Sequence, residues 1–483
     1  MEFSEIEDLI IKKNIVIDLS NSSKEIYPLG SFNKYSNIPL GWQNDIDVKN
    51  LSKSYKKLDK YNKFLFIGLG GSINLAKIAS FINPEKIITL DSFEISQIKI
   101  LREIIKNNKT AIIICSKSGL TPETIVLKNI LCEGFDNSIF YISDNYNLDK
   151  TKEKTFITPK DIGGRYNLST HFGILPFYLL GFDLDKIQSY LKLSNKNSKG
   201  NNKDNYSLKI ASFLYKNYIN GEKIINIESK NKKDFISNWI EQLISESLGK
   251  EESGLLPIKN FNDFKPSIIL SDRKNFIESD LININTNHDE SIFYMLNSLL
   301  YSIAILGSLL RIQPFDQPNV ELTKNLTKEF LDTNKSLKIN SNEKVNFSSI
   351  KNSIEIPFNI KKRKIISLLL FSTKINSLLK SNLNKLTEYC HKKGIILLVY
   401  FSPGYIHSTG QLLKGSFKEI ENFIINLHGN EDQNIPNSLY TLNTLSKNQA
   451  ISDYIAMKKN NRHVLFLDST LEEFNKEIEK IIN

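Results

Sequence analysis

Two short stretches of this chain carry more hydrogen-bond donors than a turn requires. Ser116-Lys117-Ser118-Gly119-Leu120-Thr121-Pro122-Glu123-Thr124 follows the apolar run at 111–115 and packs the hydroxyls of Ser116, Ser118 and Thr121, together with Lys117, into one loop. Hydroxyls and main-chain amides at the start of a helix can surround a phosphate, Pro122 suits the first helical turn, and Glu123 complements the dipole. Capping that helix would use a single hydroxyl. The surplus therefore favours a phosphate site. The second stretch, Gly68-Leu69-Gly70-Gly71-Ser72, lies between an apolar run and a segment with helical spacing, where free N–H groups suit an anion. It can equally be a tight turn, and with Ile at position 73 it lacks the GxGxxG spacing of a dinucleotide loop.

These loops need strands behind them and helices in front. The run FLFI (64–67), then KIITLDS (86–92), AIIICS (111–116) and IFYISD (139–144) read as short buried strands alternating with helix-compatible segments. That alternation predicts a parallel sheet covered on both faces, with ligands at the carboxyl ends of its strands. A second series repeats the pattern: KIINIES (223–229), a helix over about 234–248, SIILSD (267–272) and LININT (281–286). A helix over 289–311 runs into Gln313-Pro314-Phe315-Asp316-Gln317-Pro318, where the prolines break it. A final region shows a helix near 366–392, a strand at 394–401, the loop 402–416 and a strand-helix pair from His463. The expectation is an α/β protein with an N-terminal segment (1–59), a first lobe (60–192), a solvated linker (193–206), a second lobe (207–335) and a C-terminal α/β region (336–483).

Composition narrows the function. The formal net charge is +10, but Lys and Arg are spread over all 483 residues rather than gathered on one segment. That argues against nucleic-acid binding and leaves the excess charge for an anionic substrate. Three cysteines, Cys115, Cys132 and Cys390, are too few and scattered for a disulfide framework or a zinc site, and no other metal-ligand cluster stands out. A reducing, cytoplasmic setting fits, and the acidic N-terminus lacks an export signal. The apolar stretch 291–310 is long enough to span a bilayer, yet it holds Asn297, Gly307 and four serines and reads better as a buried helix than as a membrane span.

Four segments in order, SKSGLTPET (116–124), IGGRYNLST (162–170), ESLGK (246–250) and PFDQPNVELTK (314–324), resemble the signatures of glucose-6-phosphate isomerases. The resemblance covers roughly residues 60–325, while HSTGQLLKG (407–415) is similar to the branch whose isomerase domain is fused to transaldolase. It implies two sugar-isomerase (SIS) lobes with parallel sheets flanked by helices, a homodimer with sites at the subunit interface, and aldose-ketose isomerisation of a sugar phosphate without metal or organic cofactor. No transaldolase domain precedes these segments in the sequence, so that activity is not implied.

By the same resemblance Glu246 is the base that moves a proton between C2 and C1, a task that suits a partly buried carboxylate. Read from the residues alone, Glu246 and Lys250 could form an ordinary surface pair at i, i+4. Gln242, one turn earlier, shares the face of Glu246 and would contact substrate. Arg165, after two glycines, would stabilise the charge developing on an enediolate. Lys324 would open the sugar ring and Gln317 would bind the sugar. Gly71, Ser72, Ser116, Lys117, Ser118 and Thr121 would hold the phosphate. The family also uses a histidine between the glutamate and the lysine. Only His288 lies in that interval. Its surroundings do not reproduce the family motif, and the flanking strands align Arg273 or a neighbour there instead, so His288 and His407 are both candidates for ring opening, and if neither serves Lys324 or water must open the ring. Two further readings stand beside glucose 6-phosphate isomerisation: a noncatalytic SIS-type sensor of sugar phosphates, and an isomerase for another aldose phosphate.

Overall fold

The computed structural model describes residues 1–27, 39–133, 138–148, 154–229, 235–261, 264–287, 289–333, 335–340, 343–355 and 364–483. The chain divides into two compact units: residues 1–90, 108–124 and 135–317 form one, and residues 91–107, 125–134 and 318–483 the other.

The first unit contains two five-stranded sheets. β1 (Lys63–Gly68), β2 (Ile87–Leu90), β3 (Thr110–Cys115), β4 (Ile139–Ser143) and β5 (Thr155–Ile157) lie in the order β2-β1-β3-β4-β5, all parallel. β1 and β3 are near-continuous apolar runs because a central strand of a covered parallel sheet is buried on both faces. β6 (Ile224–Ser229), β7 (Leu256–Lys259), β8 (Ser267–Ser271), β9 (Phe276–Ile277) and β10 (Leu281–Asn285) lie in the order β7-β6-β8-β10-β9, which matches the first sheet in its first three positions and exchanges the last two strands. Here the edge strand β9 runs antiparallel to β10, so this sheet is mixed rather than purely parallel. One apolar core runs through the unit from Ile6 to Phe315. The helix Ile292–Leu309 is long and apolar enough to cross a membrane, but 83% of it is buried inside the protein.

The second unit carries its own core, from Ile350 to Ile481. Its sheet is built from β11 (Lys344–Val345), β12 (Ile365–Ser372), β13 (Ile396–Phe401), β14 (Glu421–His428) and β15 (Val464–Thr470) in the order β11-β15-β14-β12-β13, again parallel. The described residues thus form an α/β protein with two helix-flanked sheets in the first unit and one in the second.

Two expectations need correction. Residues 366–372 belong to strand β12 and not to a helix; the helix begins at Ser377. A fully buried strand and a buried helix segment are both continuous apolar runs, and IISLLLFS is placed by its two strand partners rather than by periodicity. The segment 193–206 is solvated only in part, and up to Ser198 it is helical. Helix Leu184–Ser198 continues through Ser198, and helix Tyr206–Ile219 begins eight residues later. Lys196, Lys199, Asn202, Lys203 and Asp204 are exposed, but Ser194, Asn195, Ser198 and Asn205 are buried: Asn195 donates to Asp45 Oδ1 (3.0 Å) and accepts from Asn297 (2.8 Å) and Tyr301 (3.3 Å), and the Ser198 and Ser207 hydroxyls meet at 2.7 Å. At these buried positions the polar composition that reads as solvent-facing serves to satisfy hydrogen bonds inside the protein.

Candidate functional site

Glu246 occupies the last turn of helix Phe235–Leu248, whose residues from Ile236 onward are all buried except Asn238. Its carboxylate points into the unit, 7% exposed as a residue. Oε1 lies 2.9 Å from Arg165 Nη1, and Oε2 accepts from Gln242 Nε2 at 2.8 Å. Gln242 in turn accepts from Asn74 Nδ2 at 2.5 Å. Asn74 is the first residue of helix Asn74–Ile82, just after the glycine loop, so a line of polar contacts joins the first lobe to the carboxylate of the second. Each carboxylate oxygen has two acceptor sites, and one partner on each leaves capacity for a further proton or hydroxyl.

Arg165 sits in the helical turn Gly164–Ser169 and is held from three sides besides Glu246: Pro314 O at 2.9 Å, Asp316 O at 3.3 Å and Gln317 Oε1 at 3.3 Å. The neighbouring Tyr166 ring is wedged between Trp42 and Phe315, each 4.9 Å between centroids, which locks the turn. A side chain at Gly71 would collide with the Gly164 carbonyl, and Asn167 donates to Gly71 O at 2.9 Å. Glycine at 71 is what lets the first loop lie against the arginine's turn.

Lys250 is a site residue the sequence reading passed over. It is 3% exposed, and its ammonium donates to Gln313 O (2.6 Å), Asp316 O (2.6 Å) and Asp316 Oδ1 (2.5 Å). Three donors meet three acceptors, so it clamps the 313–317 loop that presents carbonyls and Gln317 to Arg165. Burial pushes its pKa down to about 8 against the pull of Asp316, with Arg165 adding to the depression. The surface pair with Glu246 is therefore not what Lys250 forms. No local pattern in the sequence marks it, since a lysine two residues after a helix end is ordinary. Asn74, Asn167 and Asp316 were also missed, because a single asparagine or aspartate carries no motif of its own.

Gly68 and Cys115 are register partners, so the glycine and hydroxyl loops leave the sheet side by side at its carboxyl edge. The Ser116 and Thr121 hydroxyls meet at 2.9 Å, and Ser118 Oγ accepts from Leu120 N at 3.2 Å. Lys117 donates to Lys160 O at 3.0 Å with Asp144 at 3.8 Å, and burial lowers its pKa. Ser72 is half-buried in the 3-10 turn Gly70–Ser72. The first unit thus contains Gly71, Ser72, Ser116, Lys117, Ser118, Thr121, Arg165, Gln242, Glu246 and Gln317. Lys324, half-buried on helix Glu321–Thr333, and His407, in the turn Gly404–His407, belong to the second unit. His288 lies outside the described residues, and Arg273 is exposed.

No family model matches the chain. It is 27% identical over 344 residues to a protein named glucose-6-phosphate isomerase from Mycoplasmopsis pulmonis, covering 54% of this chain and 80% of the relative. It is 25% identical over 349 residues to the protein of that name from Fusobacterium nucleatum, covering 54% of this chain and 78% of the relative. Among solved structures, the glucose-6-phosphate isomerase of Chlamydia trachomatis aligns over 68% of this chain and 86% of its own with a TM-score of 0.57 at 13% identity, a likeness of fold.

Proposed function

We propose that this protein is a sugar-phosphate isomerase that interconverts glucose 6-phosphate and fructose 6-phosphate. One observation carries the reading: a buried carboxylate, Glu246, is held between the guanidinium of Arg165 and the amide of Gln242 with acceptor capacity to spare. In this reading the loops bearing Gly71, Ser72, Ser116, Lys117, Ser118 and Thr121 grip the phosphate, and Lys324 moves the proton of the ring oxygen as the sugar opens. Glu246 then takes the C2 proton, Arg165 stabilises the cis-enediolate, and Glu246 returns the proton to C1. Gln242 and Gln317 bind the sugar. His407 or His288 assists ring opening. The names of relatives sharing about a quarter of their residues with this chain support the substrate. The proposal includes a cytoplasmic homodimer acting in glycolysis, with lobe boundaries near residue 59, within 192–206 and near residue 335. It also places the chain nearest the transaldolase-fused branch, through HSTGQLLKG.

The test follows fructose 6-phosphate formation by the purified wild type and the Glu246→Gln variant. The expected loss in the variant is about a hundredfold to ten-thousandfold. Equal activity in the two would remove Glu246 as the base, and an inactive wild type that still binds a sugar phosphate would point to a sensor.

A further inference from the structure

The C-terminal region holds a buried charge cluster that the proposed reaction does not use. Asp453, in helix Leu442–Lys459, and Lys414, in helix Gly410–Gly415, are both fully buried. Lys414 Nζ lies 2.6 Å from Asp453 Oδ1, off the hydrogen-bonding direction. Tyr405 Oη donates to the other carboxylate oxygen, and Thr323 Oγ1 donates to Oδ1 at 2.9 Å. Burial pushes the lysine down to about 7 and the carboxyl up to about 8. One turn upstream of Thr323, Asn319 and Gln411 exchange two hydrogen bonds: Asn319 N to Gln411 Oε1 at 2.9 Å and Gln411 Nε2 to Asn319 Oδ1 at 2.6 Å.

A buried pair of ionisable groups is a poor source of stability, since apolar side chains of the same volume would usually do as well. What it does supply is direction. Thr323 is the residue before Lys324, and fixing one side chain on the inner face of a helix fixes the rotation at which its neighbour projects. We propose that Asp453, with Lys414 and Tyr405 around it, is a positioning residue for Lys324, acting through the Thr323 hydroxyl. This assigns a task to the C-terminal region: it sets the rotation of the helix that carries Lys324. The inference rests on the reading of Lys324 given above.

Thr323→Val removes the donor while keeping the volume, and Thr323→Ser keeps the donor. On glucose 6-phosphate, Thr323→Val should lower kcat about tenfold with KM nearly unchanged. Thr323→Ser should restore kcat, and thermal unfolding should move little in either. Equal kcat in Val and Ser variants would overturn the inference, because packing alone would then explain the contact. Lys324→Ala separates the two layers. If it loses activity while Thr323→Val does not, the positioning claim falls and the isomerase reading stands. If Lys324→Ala keeps wild-type kcat, the role of Lys324 falls, and this inference with it.

Discussion

Raising the pH should uncouple activity from stability through Lys250. Burial outweighs the attraction of Asp316 and brings the ammonium from its ordinary 10.5 to about 8. The group is then about nine-tenths charged at pH 7 and about one-tenth charged at pH 9. When the proton leaves, one of three donors is lost and Asp316 keeps a charge with no cation against it, so the 313–317 loop loosens beneath Arg165. Isomerase kcat/KM should fall about tenfold between pH 7 and pH 9. Stability moves the other way. In the unfolded chain the lysine keeps its proton up to about 10.5, so between about 8 and 10.5 the unfolded state binds more protons and this group's contribution to folding rises with pH, by at most about 3 kcal/mol. General alkaline unfolding would lower both together. The assay is initial rate against pH, paired with urea unfolding at each pH. In Lys250→Met the rate should be lower at pH 7 and flat to pH 9. The same alkaline limb in that variant would refute the assignment to Lys250.

Two further outcomes follow from the first unit. His171 is buried against Tyr55, whose hydroxyl meets Nδ1 at 2.8 Å, and burial followed by the nearby Lys57 charge lowers its pKa from 6.5 to about 4. Its contribution, about 3 kcal/mol, is present above pH 6.5 and is lost as pH falls through about 4, because the unfolded state takes the proton first; unfolding free energies of wild type and His171→Gln at pH 4 and 7 should show this slope in the wild type alone. Gly71→Ala would press a methyl group onto the Gly164 carbonyl, separating the glycine loop from the turn of Arg165. It should cost about 1–3 kcal/mol in thermal unfolding and lower activity by at least tenfold, and a fully active, equally stable variant would contradict the close approach.

Much of the first lobe was legible because its strands are central to a parallel sheet. FLFI and AIIIC are apolar on both faces, end in glycine or hydroxyl loops, and match β1 and β3 to within a residue. The short edge strands β5, β7, β9 and β11 were not foreseen, since two to four residues carry no period and are defined by the partner they pair with. Polar composition misled at Ser194, Asn195, Ser198 and Asn205 because asparagine and serine read alike whether they face water or one another. Lys250 was misjudged for the same reason: sequence spacing put it beside Glu246, while the fold gave it carbonyls from residues more than 60 positions away.

By itself the sequence determined the α/β alternation, the two donor-rich loops and the residue types a proton-transfer site needs, all properties of local pattern and spacing. Only the tertiary structure decided which of them meet: that Arg165 closes on Glu246, that Asn74 reaches Gln242, and that Lys250 and Asp453 are buried with their partners. The physical reason is that a buried charge or amide is acceptable only where its partners are brought to it. Those partners come from segments scattered along the chain that no local pattern ties together.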